Sequence, residues 1–381
     1  MRIVFVLFLG FTGFMHTLAA SETQTETVIL VTIDGVRWQE VFTGVDQAFF
    51  DQDAYIAYKK HHADFKEQYG AETPNARRTA LMPFLWDVVA KEGQLYGNRN
   101  KGSVGTLTNP YHFSYPGYSE ILTGITDDRI NSNDKVLNPN KTVLEWLNEK
   151  PENTGKIEAF ASWDVFPYII NSERSHVPVN AGFEPYKLPG NKKVAFLNEM
   201  LAAVPSPWDT VRFDAFTMGY ARAALVSKKM RFIYISLGET DDFAHDGHYD
   251  QYVNALHRSD AMLADLWAWL QKDPRYKDHT TLLVTTDHGR GSDSFETWKH
   301  HGRFPYVKED GTKAVSDFAG DDQIWMAVIG PDTPAMGEVT GGPPVALNEV
   351  AATAAKFLGY SYESDNPVMK AGKPIESMMN K

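Results

Sequence analysis

Three stretches of the chain are apolar or β-branched at nearly every position: TVILVTI at 27–33, FIYISL at 232–237 and TTLLVT at 280–285. Runs of this length without polar alternation suit strands buried on both faces of a parallel sheet. Shorter runs at 93–98, 156–162 and 323–329 predict further strands. Mixed apolar and polar spacing predicts helices over 82–91, 116–122, 142–150, 208–228, 249–272 and 346–358. Strands alternating with helices imply an α/β fold, a doubly wound and mostly parallel sheet with helices on both faces. Two stretches break the rhythm. Residues 46–78 are aromatic, charged and irregular, and residues 163–206 are rich in Pro, Asn and aromatics. Both read as excursions from the sheet, the second as loops over one face. There is no internal repeat, so the chain is expected to form a single domain.

The N-terminus changes this picture in one respect. Arg2, an apolar run from Ile3 to about Met15, and small residues at Ala19 and Ala20 have the form of a secretory signal peptide over 1–20. Thr12, Gly13 and His16 interrupt the run, which argues for cleavage rather than a membrane anchor. The mature domain would then be 21–381, without a membrane span, and periplasmic or secreted. The sequence contains no cysteine, so stability must come from the core and not from disulfides. A formal charge of −12 argues against a nucleic-acid polymer as partner. It would also repel an anionic substrate unless bound metal ions offset it.

The candidate chemistry lies where the buried runs stop. Asp34 follows the first, Asp241 follows the second after a short extension, and Asp287 follows the third. In a doubly wound sheet all three face the crevice at the carboxyl edge, where ligands bind. Asp241 and His245 are four residues apart, on one face of a helical turn. His288 adjoins Asp287, and His301 lies in an HHG motif further on. Carboxylates and imidazoles without thiolates suit Zn²⁺ or Mn²⁺ in a catalytic site. Two such ions about 4 Å apart can clamp the attacking and leaving oxygens of phosphoryl transfer. The nucleophile candidate is Ser114 in NPYHFSYPGYSEILTG at 109–124. It stands just before Pro116 at the start of a helix, where free N–H groups and the dipole favour phosphate oxygens. Singly, a serine there is usually a helix cap and a strand-end aspartate usually a turn residue. Their coincidence at several strand ends favours a site.

These motifs resemble the alkaline phosphatase superfamily, and most closely its nucleotide pyrophosphatase/phosphodiesterase branch. ILVTIDG with Asp34, FSYPGYSEILTG with Ser114, ETDDFAH with Asp241 and His245, TTDHG with Asp287 and His288, and HHG with His301 occur in the family's order across residues 28–302. The resemblance implies that Asp34, Ser114, Asp287 and His288 hold one divalent metal, and Asp241, His245 and His301 the other, zinc above all. It implies attack by Ser114 on phosphorus and a phosphoseryl intermediate. The phosphodiesterase branch usually carries threonine where this chain has Ser114. Sulfatases need C/S-x-P-x-R, and Tyr118 stands in place of that arginine, which disfavours them. A cofactor-independent phosphoglycerate mutase is larger and cytoplasmic. In the related branch an asparagine after the nucleophile helix binds a phosphoryl oxygen, which makes Asn131 and Asn133 candidates. Arg174 and Arg290 are candidates for a second phosphate or a carboxylate, and Tyr115, Trp163 and Phe166 for stacking. The expectation is an exported, metal-dependent hydrolase of small phosphate esters. Its alternatives are a phosphomonoesterase-only or phosphomutase-like enzyme, or a non-catalytic metal- or ligand-binding protein on the same scaffold.

Overall fold

The computed structural model describes residues 23–308 and 311–380; the expected signal peptide lies outside them. Its main sheet has eight strands: β1 Thr27–Ile33, β2 Gln94–Tyr96, β3 Ile157–Ala161, β4 Val179–Ala181, β5 Phe232–Leu237, β6 Thr280–Thr285, β7 Met326–Ile329 and β8 Gly337–Glu338. Their order across the sheet is β8-β2-β7-β6-β1-β5-β3-β4. The three long apolar runs are therefore the adjacent central strands. β1 lies parallel to both neighbours, with Ile33 opposite Leu237 and Thr32 opposite Thr285. That register brings the residues after all three strands to one edge. The sheet is mixed at one side: β7 runs antiparallel to β6 and to β2.

Every residue of β1, β5 and β6 is buried, as the unbroken apolar pattern requires. Alternate side chains enter two cores. Ile29, Val31 and Ile33 pack with the helices Asp214–Ser227 and Tyr249–Leu270. Val28 and Leu30 pack with the helices Ser114–Thr123, Val143–Asn148 and Val350–Phe357. Each such side chain contributes about 1.5–3 kcal/mol by burial. Among the described residues no helix is long and apolar enough to cross a membrane.

Differences from the sequence reading have local causes. The helix expected over 82–91 is present over 83–92, with a π-helical turn at Leu85–Val89, and a separate helix, Pro74–Leu81, precedes it within the stretch read as irregular. Pro83 lacks the N–H needed to run one into the other, and Thr73 caps the earlier piece by accepting from Ala76 N at 3.2 Å. The expected helix 208–228 begins only at Asp214. Residues 163–206 are not all loop. They contain β4 and the helix Lys192–Ala203, capped by Asn191 Oδ1, which accepts from Val194 N at 3.0 Å.

Candidate metal centre

The end of β1 places Asp34, and the end of β6 places Asp287 and His288. The short helix Glu239–His245, directly after β5, carries Asp241 and His245. Glycine is required between them. Gly35 has φ +61°, and a Cβ there would lie 2.5 Å from Asp241 Oδ1 and 2.7 Å from Arg290 Nη1. Ser114 opens its helix, and Gly117 lets that helix approach: a Cβ there would lie 2.4 Å from the Asp287 carbonyl oxygen.

His288 Nε2 is the centre of the first cluster. It lies 3.3 Å from Asp34 Oδ1, 3.3 Å from Asp287 Oδ2 and 3.3 Å from Ser114 Oγ. In the second, His245 Nε2 is 3.2 Å from Asp241 Oδ2 and 3.0 Å from His301 Nε2, and His301 Nε2 is 3.6 Å from Asp241 Oδ1. The His288 and His301 rings stack at 3.7 Å between centroids, joining the two clusters. Donor atoms of Asp34, Asp287 and His288 all lie within 4.8 Å of one another, as do those of Asp241, His288 and His301.

The local chemistry fits divalent cations. Asp34 Oδ1 and Asp287 Oδ2 are buried with no hydrogen-bond partner among the described residues; only His288 Nε2 stands near them, and two buried carboxylates sharing one histidine are unfavourable unless a cation offsets the second charge. His288 Nδ1 lies 2.9 Å from the Gly289 carbonyl and His301 Nδ1 3.2 Å from the His112 carbonyl. A carbonyl can only accept, so both Nδ1 atoms carry a proton, and Nε2 is in each ring the nitrogen turned toward the clusters.

The titration behaviour follows from crowding. Burial raises the carboxyls of Asp34 and Asp287, and neighbouring carboxylates raise them further: Asp241 for Asp34, Asp34 for Asp287. Burial likewise opposes the charge on Asp241. There His245, Arg290 and His301 outweigh it and hold the group well below the usual range. Burial alone would lower His288, yet Asp287 and Asp34 raise it to about 10. Burial and the adjacent His288 hold His301 well below its ordinary value. Asp242, beside Asp241, is pushed up to about 9 by burial and by the Asp241 and Asp34 charges. Negative charge is in excess here, which is what a metal centre needs before it is filled.

The substrate-side candidates separate. Asn133 Oδ1 accepts from Tyr115 N at 2.9 Å, so it touches the start of the Ser114 helix. Asn131 is exposed, and its Nδ2 donates to the Asp128 carbonyl at 3.0 Å. Arg174 pairs with Glu145 at 2.7 Å and donates to the Asn138, Pro139 and Asn140 carbonyls, none of them in the clusters. Tyr115 and Phe166 are core residues, the former donating to the Val136 carbonyl; Trp163 is half-buried. Arg290, read as a possible anion ligand, is wholly buried. It donates to Asp241 Oδ1, to the Trp298 carbonyl at 2.8 Å and to the Lys299 carbonyl at 2.6 Å. Sequence reasoning missed the supporting contacts: Tyr118 Oη to Asp34 Oδ2 at 2.7 Å, Thr240 Oγ1 to the Asp34 carbonyl at 2.5 Å, and Gly35 N to Asp287 Oδ1 at 3.1 Å. Only Tyr118 had drawn notice in the sequence, as a departure from the sulfatase pattern.

Comparison with known proteins agrees with this architecture. Residues 189–305 match the model of the Metalloenzyme superfamily. No curated protein matches the chain. Among solved structures, the wild-type alkaline phosphatase PafA is similar with a TM-score of 0.57 and 12% identity, over 95% of this chain and 100% of that one. A putative sulfatase from Bacteroides thetaiotaomicron VPI-5482 gives 0.55 and 12% identity, over 92% of this chain and 74% of that one. A 2-O GAG sulfatase gives 0.51 and 11% identity, over 93% and 74%. At such identities the likeness is one of fold. The fold over nearly the whole chain is thus alkaline phosphatase-like, and residues 189–305 within it resemble the Metalloenzyme superfamily.

Proposed function

We propose that the protein is an exported hydrolase of phosphate esters that works through a phosphoserine on Ser114. The observation that carries this reading is Ser114 Oγ, 3.3 Å from His288 Nε2 at the junction of the two Asp/His clusters. Asp34, Asp287 and His288, with Ser114, would hold one divalent ion, and Asp241, His245 and His301 the other; zinc suits this donor set best. When bound, the ions would lower the pKa of the serine hydroxyl and offset charge on the transferring phosphoryl group.

The chain's own groups orient the reaction. The helix start aims Ser114 Oγ at phosphorus. An Oγ–P bond forms, the ester P–O bond breaks, and the alcohol leaves. Water then cleaves the Oγ–P bond and restores the hydroxyl. Asn133, held at Tyr115 N, has a side-chain amide nitrogen with no hydrogen bond among the described residues, able to donate to a phosphoryl oxygen. A sulfatase reading lacks support, because formylglycine formation requires an arginine where Tyr118 stands, and Tyr118 is engaged with Asp34. The test is hydrolysis of p-nitrophenyl phosphate and of bis(p-nitrophenyl) phosphate. Activity should disappear in EDTA and return with Zn²⁺; the ratio of kcat/KM between the two esters assigns the branch. No turnover of either ester by zinc-loaded protein contradicts the reading.

A further inference from the structure

Asp321 lies outside every motif discussed so far, yet it touches three segments of the site. Its Oδ1 is 2.7 Å from His112 Nδ1, two residues before the nucleophile. Its Oδ2 accepts from Gly302 N at 2.9 Å, directly after His301. Its carbonyl accepts from Gly289 N at 2.9 Å, directly after His288. The side chain is buried, so all three contacts are shielded from water.

Each contact continues into a working residue. His112 stands in a left-handed backbone conformation, φ +55°, a strained state for a residue with a Cβ that persists only where surroundings impose it. Asn109 Oδ1 imposes part of it by accepting from Tyr111 N and His112 N at 3.0 and 3.1 Å. Asn109 is in turn fixed by the buried Glu120 of the nucleophile helix, whose Oε2 accepts from Asn109 N and Nδ2. The twisted backbone turns the His112 carbonyl toward His301 Nδ1, 3.2 Å away. Gly289 can approach the 320–323 turn only because it lacks a side chain: a Cβ there would lie 2.3 Å from the Gly320 carbonyl oxygen.

We infer that Asp321 is a positioning residue that sets the distance of Ser114 from His288 and His301. It does so by holding the nucleophile loop and both histidine segments to one carboxylate and its backbone. The inference rests on the reading of these histidines as metal ligands. An asparagine cannot replace it: Asp321 Oδ1 and Oδ2 both face donors, whereas an amide has one acceptor.

The experiment is zinc affinity by chelator competition for the wild type, Asp321→Asn and the exposed control Asp317→Asn, with kcat and KM at saturating zinc. Asp321→Asn should weaken zinc binding about 10–100-fold and lower kcat more than it raises KM, while Asp317→Asn matches the wild type. A purely structural role would lower the melting temperature of the metal-free chain and leave zinc affinity and kcat unchanged, and that result overturns the inference. Should Asp321→Asn not fold, His112→Asn keeps a residue tolerant of the left-handed backbone and should show a smaller loss in the same direction. Zinc affinity reads independently of substrate. A wild type that binds zinc but hydrolyses no phosphate ester would refute the proposed function and still test Asp321, whereas one that binds no zinc overturns both.

Discussion

The hydroxyl of Tyr118 donates to Asp34 Oδ2 at 2.7 Å, while Asp34 Oδ1 accepts no hydrogen bond among the described residues and faces His288 Nε2 at 3.3 Å. One oxygen of the carboxylate is thus fixed and the other is free for a ligand. The tyrosine that breaks the sulfatase signature thereby orients a proposed metal ligand. Tyr118→Phe should keep the fold, since the ring stays in the core, and weaken zinc binding about tenfold or more. Chelator competition measures this; unchanged affinity would show that the hydroxyl does not orient Asp34.

Two glycines with left-handed backbone make a matched pair. Gly35 (φ +61°) faces Asp241 and Arg290, whereas a Cβ on Gly155 (φ +71°) would meet nothing within 4 Å. Alanine at either position carries the conformational penalty of about 1–2 kcal/mol. Only Gly35→Ala also forces apart the Asp241–Arg290 pair. Its zinc affinity and activity should collapse while Gly155→Ala loses stability alone, as paired thermal melts and metal titrations would reveal. Equal behaviour of the two variants would remove the steric argument.

Arg290 bears a buried guanidinium whose charge partner is Asp241. Removing one member of a buried pair is unfavourable by about 3–5 kcal/mol because the other is left uncompensated. Arg290→Met should therefore lower the metal-free unfolding free energy by that order, and added zinc should recover part of it by pairing Asp241 again. Urea unfolding with and without zinc checks both halves. A variant as stable as the wild type would mean that Asp241 finds other compensation.

Asp260 offers a pH test remote from the metal centre. Its oxygens accept from Phe84 N at 2.8 Å and Leu85 N at 3.0 Å, and burial pushes its carboxyl from 3.8 up to about 7. The folded value exceeds the unfolded one, so between them the folded chain holds a proton that the unfolded chain has released. Stability from this group is present below pH about 4 and declines as pH rises toward 7. Asp260→Asn should flatten the decline of the urea midpoint between pH 5 and pH 8. Identical slopes would contradict the raised value.

The central strands and their terminal aspartates were legible because burial on both faces leaves a run of apolar residues that no other element needs. Asp34, Asp241, His245, Asp287, His288 and His301 carried their own spacing, and the structure gathers them with Ser114. Arg174 and Tyr115 were not legible as structural residues. A solvent-facing loop and a substrate loop have the same composition, and only the fold shows Arg174 turned onto Glu145. β4 and the helix Lys192–Ala203 hid behind the prolines of 163–206. Asp321 had no local mark at all, since its three contacts lie 209, 32 and 19 residues away along the chain.

The account rests most heavily on Ser114 as nucleophile. Zinc-loaded protein mixed with p-nitrophenyl phosphate and quenched in acid can be mapped by mass spectrometry. A phosphate on the peptide containing Ser114 is expected. It should be absent from Ser114→Ala, whose turnover should fall at least about a thousandfold with zinc still bound. Full turnover by metal-loaded Ser114→Ala, or a phosphate trapped on another residue, would contradict the account.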